Sequence, residues 1–235
     1  MWPLLSATLA LPLVASAVPG GCWLLPMLAP LTLYPEFAAR VRREEYAGAW
    51  RLAIAWALLL FAGVVLLVAT RPAAAGATIL NGEAYRQEMF SWIATGAGRE
   101  GDWRAFLPQH LLHFAGFAVL TWTSAGYLGL VLGAVLMDYM SYFVASYAIA
   151  AGRPLLGLVA AWVPWSVVRV AAFVLVGTVL ARPLLTRRFW PFAERERKLL
   201  WLGLAGIAAD LLLKAAMAPA YGPFLRSLAS GAALR

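Results

Sequence analysis

Residues 52–70, LAIAWALLLFAGVVLLVAT, run for nineteen positions without a charge and are bracketed by Arg51 and Arg71. At a rise of about 1.5 Å per helical residue such a run covers roughly 28 Å, the thickness of a bilayer's hydrocarbon core. A segment of this kind must satisfy every backbone N–H and C=O within itself, so in lipid it folds as a helix. Further apolar stretches follow at 111–150, 155–181 and 199–217. The first is long enough for two crossings, with Gly126, Gly129 and Gly133 available for the reversal, and Pro164 is expected to kink the first turns of the second. The chain thus reads as an all-α, polytopic transmembrane helix bundle with five spans, forming a single integral membrane domain over residues 1–235.

Charged residues make up 13% of the chain, against roughly 25% in soluble domains. That is too few to cover a water-facing surface, and no polar stretch approaches the ~50 residues that a separate soluble domain needs. The net charge of +8 does not indicate nucleic-acid binding. The basic residues cluster beside apolar segments, where they suit anionic lipid headgroups and fix orientation. With Cys22 as the single cysteine, an intrachain disulfide and a cysteine-based metal site are both excluded. Residues 1–34 are apolar but carry five prolines and the Gly20–Gly21 pair. They are expected to form a Pro-broken, re-entrant or interfacial segment that is retained rather than cleaved.

Sidedness follows from the arginines. The collar 35–51 holds Arg40, Arg42, Arg43 and Arg51, and the 182–198 loop holds six basic residues. The 71–110 loop spreads four arginines over forty positions and balances them with Glu83, Glu88, Glu100 and Asp102. By the positive-inside bias the collar and the 182–198 loop are cytoplasmic. The 71–110 loop and the C-terminus are then external, in a cytoplasmic (inner) membrane. Within the external loop, Tyr85, Met89, Trp92 and Ile93 recur at helical spacing. They predict an amphipathic helix resting on the membrane or on the bundle, and a surface for partner proteins.

His110 and His113 stand one turn apart on one helix face, as a metal site would require, with Glu88, Glu100 or Asp102 available as a third ligand. No HExxH or comparable motif accompanies them, so an interfacial structural role is the preferred expectation and no cofactor is assigned. Ser124 lies about 16 Å past His113 on the same predicted helix, too far for direct proton transfer. Asp138, Arg169, Asp210 and Lys214 fall inside predicted spans. A charge at bilayer depth costs at least about 2.5–3.5 kcal/mol, so each needs a partner or water. The spacing pairs Asp210 with Lys214 and leaves Asp138 for Arg169. As a set they read either as a clamp on helix register or as a charged transport path.

From residue 51 onward the order of parts resembles the stage II sporulation protein M family. The resemblance rests on Phe106 and His110 leading into a region with Gly126, Gly129 and Gly133. It continues with VPWSVVRVAAFVLVG from Val163 to Gly177 and ADLLLKAAMAPAYG from Ala209 to Gly222. It implies a non-enzymatic bacterial membrane scaffold that gathers cell-envelope partner proteins. A transport component using Asp138, Arg169, Asp210 and Lys214 is the alternative, and a metal-dependent membrane enzyme at His110 and His113 the second.

Overall fold

Where water is absent, the backbone can close its hydrogen bonds only locally, and the chain obeys this throughout. The computed structural model describes residues 2–229, and among them every regular element is helical. The Pro-rich N-terminus forms α1 (Trp2–Ala15), α2 (Gly21–Leu28) and a 3-10 turn, Ala29–Thr32. This is the broken arrangement its prolines demand. Thr8 and Thr32 join its two arms through a 2.7 Å hydroxyl contact. The segment then leads through α3 (Tyr34–Arg42), with Glu36 in its first turn and Arg40 and Arg42 in its last, into the apolar α4 (Tyr46–Thr70). Gly63 of α4 lets α1 pack closely, because a Cβ there would lie 2.6 Å from the Leu9 carbonyl oxygen.

Two short helices, α5 (Pro72–Thr78) and α6 (Gly82–Thr95), occupy the loop after α4. Next come α7 (Trp103–Thr123) and α8 (Tyr127–Ala150), joined by a tight turn in which Ala125 and Gly126 take positive φ of 54° and 94°. Only Gly126 of the three expected reversal glycines makes the turn. Gly129 lies inside α8, where an added Cβ would meet the Thr121 hydroxyl oxygen at 2.0 Å, and Gly133 opens onto empty space. Helix α8 is the central element, buried at most positions from Met137 to Ala148 between α4 on one side and α6 and α9 (Pro154–Ala161) on the other.

The span expected at 155–181 is broken rather than kinked. Val163, extended ahead of proline (φ −60°, ψ 136°), separates α9 from α10 (Pro164–Leu180). The proline restricts the residue before it and is itself well suited to a helix's first position. Helix α11 (Arg182–Thr186) extends α10, and α12 (Glu194–Leu228) runs 35 residues and packs chiefly on α10. Among the described residues four helices are long and apolar enough to cross a membrane: α4, α8, α10 with α11, and α12. The expected fifth, α7, has the length, but Arg104, Pro108, Gln109, His110 and His113 occupy its first half. The protein is a multi-pass, membrane-embedded helix bundle.

The two arginine-rich segments meet at one end of this bundle. Arg182 and Tyr46 both bind Glu196, Arg42 reaches the Leu185 carbonyl, and Arg188 lies 3.7 Å from Glu44. The 71–110 loop sits at the other end, where Arg226 near the end of α12 donates to the Ile93 carbonyl. Charge asymmetry and three-dimensional contact thus group the same segments.

The two α8 glycines should respond in opposite ways. Gly129→Ala should destabilise the protein by about 1–3 kcal/mol through overpacking against Thr121. Gly133→Ala should be neutral or stabilise by up to about 1 kcal/mol through helix propensity. Unfolding followed in detergent separates them, and equal losses would contradict the packing described.

Candidate functional site

Helices α7, α10 and α12 and the loop before α7 build a charged cluster at the end of the bundle remote from the arginine clusters. Arg169 leaves α10 and Asp210 leaves α12. They meet in a bidentate pair, Nε to Oδ2 at 2.8 Å and Nη2 to Oδ1 at 3.0 Å. Lys214, one turn beyond Asp210, turns away from it and donates to Glu100 Oε2 at 2.6 Å. Glu100 also accepts from the indole N–H of Trp165 at 2.8 Å. The Phe106 ring lies under both cations, 3.3 Å from Lys214 Nζ and 4.8 Å from Arg169 Cζ. Asp210 and Lys214 have no exposed surface, and Glu100 and His110 are buried.

Two cations facing two anions leave the cluster formally neutral, which is how buried charge is tolerated in lipid. The local Asp210–Lys214 pair expected from spacing is not formed, because each side chain reaches a partner on another element. The Asp138–Arg169 pair is not formed either. Arg169 is taken by Asp210, and Asp138 is buried in α8 with Oδ1 lacking any hydrogen-bond partner among the described residues. Of the four intramembrane charges, Arg169 lines the cleft described below, while Asp210 and Lys214 have no exposed surface.

His110 and His113 share a face of α7 as the spacing predicts, and both border a cleft. The three acids expected as a third ligand are engaged elsewhere. Glu88 binds Arg99, Glu100 binds Lys214, and Asp102 caps α7 by accepting from the Arg104 backbone N–H. Among the described residues no three His, Cys, Asp or Glu side chains are placed to hold a metal ion. His110 Nδ1 instead lies 3.5 Å from Asp210 Oδ2, while its Nε2 has no partner among the described residues.

The cleft is narrow and ringed by α4, α7, α8 and α10. It runs along α10 from Arg169 to Thr178 and along α8 from Met140 to Gly126, about 14 to 21 Å of helix. Its walls are mostly apolar, with Trp56, Phe117, Met137 and Val174 among them, and its polar end carries Arg169, His110, His113 and Tyr139.

The amphipathic helix expected at 82–95 is α6, and it rests on the bundle. Met89, Trp92 and Ile93 are almost fully buried against α8, α10 and α12, and Tyr85 stacks on Tyr139 with ring centroids 4.5 Å apart. The partner surface expected on that face is therefore core. At its outer side Glu83 accepts from Arg86, Gln87 and Tyr142. The Arg86 hydrogen bonds lead in drawing its carboxyl down to about 2. Glu100, Phe106 and Trp165 as members of one cluster were not foreseeable as such. An acid in a turn-rich loop and an indole after a proline carry no periodic signal linking them across 65 residues.

Breaking a buried ion pair from one side strands the other charge. Asp210→Leu should therefore destabilise the protein by about 3–5 kcal/mol, with much of the loss recovered by adding Arg169→Met. Asp138→Asn should cost less than about 1 kcal/mol, since Oδ1 forfeits no bond. Chemical unfolding in detergent checks all three, and an Asp138→Asn loss matching Asp210→Leu would contradict the assignment of partners. No protein-family model matches this chain, and neither a curated protein nor a solved structure does.

Proposed function

We propose that the protein takes an amphiphilic, lipid-like molecule from the bilayer into the cleft among α4, α7, α8 and α10. One observation carries this reading: a narrow slot with apolar walls, inside a membrane bundle, ends at a cationic and imidazole-bearing head. A mostly apolar site with a few convergent polar groups at one end is the usual form of a ligand pocket. Here the division matches the two halves of a lipid. The slot is shorter than the roughly 30 Å hydrocarbon core, so it suits a chain lying along the helices. In this reading the protein holds a lipid rather than gathering envelope proteins, and it needs no covalent chemistry.

The orientation that accompanies this reading puts the arginine-rich end in the cytoplasm and the head of the cleft towards the outer face. Ala97→Cys and Trp190→Cys, each made in a Cys22→Ala background, test it through exposed positions at opposite ends. An impermeant maleimide should label the first in intact cells and the second only after permeabilisation. The reverse pattern would invert the orientation.

Occupancy is tested with a phospholipid bearing a diazirine in its acyl chain, irradiated with the protein in vesicles. Adducts should map to the cleft-facing positions of α7, α8 and α10. Gly133→Leu, whose side chain would project into the slot, should abolish them without lowering the thermal midpoint. Adducts confined to the outer faces of α1 and α12 would overturn the proposal.

A further inference from the structure

The geometry points to a ligand whose head joins an anionic phosphate oxygen to an O–H group, as in phosphatidylglycerol. This rests on the cleft being a lipid site and names what its polar end selects. Two atoms there have unused capacity. Arg169 directs Nε and Nη2 to Asp210, leaving Nη1 without a hydrogen bond among the described residues on a side chain that borders the cleft. A guanidinium N–H away from bulk water is best satisfied by a charged oxygen, and its fork suits phosphate.

The second atom is His110 Nε2, which is buried, belongs to a residue lining the same end and has no partner among the described residues. Its state follows from the neighbour on the other side of the ring. Nδ1 faces a carboxylate oxygen at 3.5 Å and so carries the proton, because two lone pairs would repel. In the neutral ring Nε2 is then an acceptor, and only a donor satisfies it. The head must therefore accept at Arg169 and donate at His110. The other charges of the cluster do not alter this. Lys214 and Glu100 are closed on each other, and Asp210 is occupied by Arg169 and His110. His113, one turn further along α7, lines the slot beside them.

Phosphatidylglycerol offers both functions. Phosphatidylcholine keeps the phosphate but has no O–H, and diacylglycerol keeps an O–H but has no anion. The full chain in detergent is titrated with these three, matched in acyl chains, by native mass spectrometry, with inorganic phosphate as a competitor. Phosphatidylglycerol should bind about tenfold or more tightly than either relative, the scale of leaving one buried hydrogen-bonding atom unsatisfied. Inorganic phosphate should not displace it. In His110→Phe, where a ring of similar size stays beside Phe106 and Phe173, the preference over phosphatidylcholine should vanish while binding of both persists.

Equal binding of the three lipids, or a preference unchanged in His110→Phe, would overturn the head assignment and leave the cleft reading standing. Complete displacement by inorganic phosphate would reduce the site to an ion site and overturn the lipid assignment. Failure of all three lipids to bind would overturn the cleft reading itself. If His110→Phe does not fold, the three-lipid comparison on the unaltered chain decides alone.

Discussion

Arg169 and Asp210 meet where neither could remain alone, and the upper half of the bundle is arranged around that requirement. In lipid an unpaired charge has no water to fall back on, so the pair fixes the relative height of α10 and α12. With Asp210 held, Lys214 comes to a fixed height on the same helix, where it pairs with Glu100 from the loop before α7. The loop is thereby tied to α12, and Phe106 and His110 of α7 follow it into the cluster. One ion pair in this way determines how three helices and a loop assemble.

The opposite end solves the same problem with different groups. Glu196 forms an ion pair with Arg182 at 3.1 Å and accepts from the Tyr46 hydroxyl, and its second oxygen accepts from the Ala193 backbone N–H at the start of α12. Both ends of the bundle are thus tied by buried, charge-bearing hydrogen bonds. Between them the helices pack tightly where Gly63 and Gly129 bring them together and lie open where Gly133 has no neighbour, and the Trp50 and Trp56 indoles donate across to the Ala171 and Ala29 carbonyls. A cleft between two tied ends can exist without loosening the fold, because the helices around it are fixed above and below.

Much of this was legible in the sequence. Apolar length gave the positions of α4, α8 and α12, and the prolines gave the broken N-terminus. Arginine density placed the collar and the 182–198 loop together, and Arg42, Glu44, Leu185 and Arg188 do meet. Spacing failed where a partner lies on another element. The i, i+4 rule favours Asp210 with Lys214, but that pairing would have left Arg169 and Glu100 stranded in lipid, and satisfying all four outweighs one local contact. For α6 the periodicity was right, and of the two expected resting places, membrane or bundle, the helix takes the bundle. The apolar face of a helix looks the same whether it awaits a partner or meets its own bundle, and Trp92 and Ile93 meet the bundle.

The cleft itself could not have been read from the sequence, because its walls carry ordinary span residues and its significance lies in what they leave unfilled. Small residues at Gly126, Gly129 and Gly133 signal close packing in any membrane helix. Only the fold shows that the last of them faces a void while the second is pressed against Thr121. The polar head has the same character. His110 seen alone is a histidine near a membrane edge. Set between Asp210 and the cleft, it has one nitrogen committed and the other bare, and a bare acceptor that water does not reach is costly unless something fills it. Asp138 is similarly buried with a bare oxygen, but it does not border the cleft. The difference between the two is position rather than chemistry, and it is what singles out the α7 end of the slot.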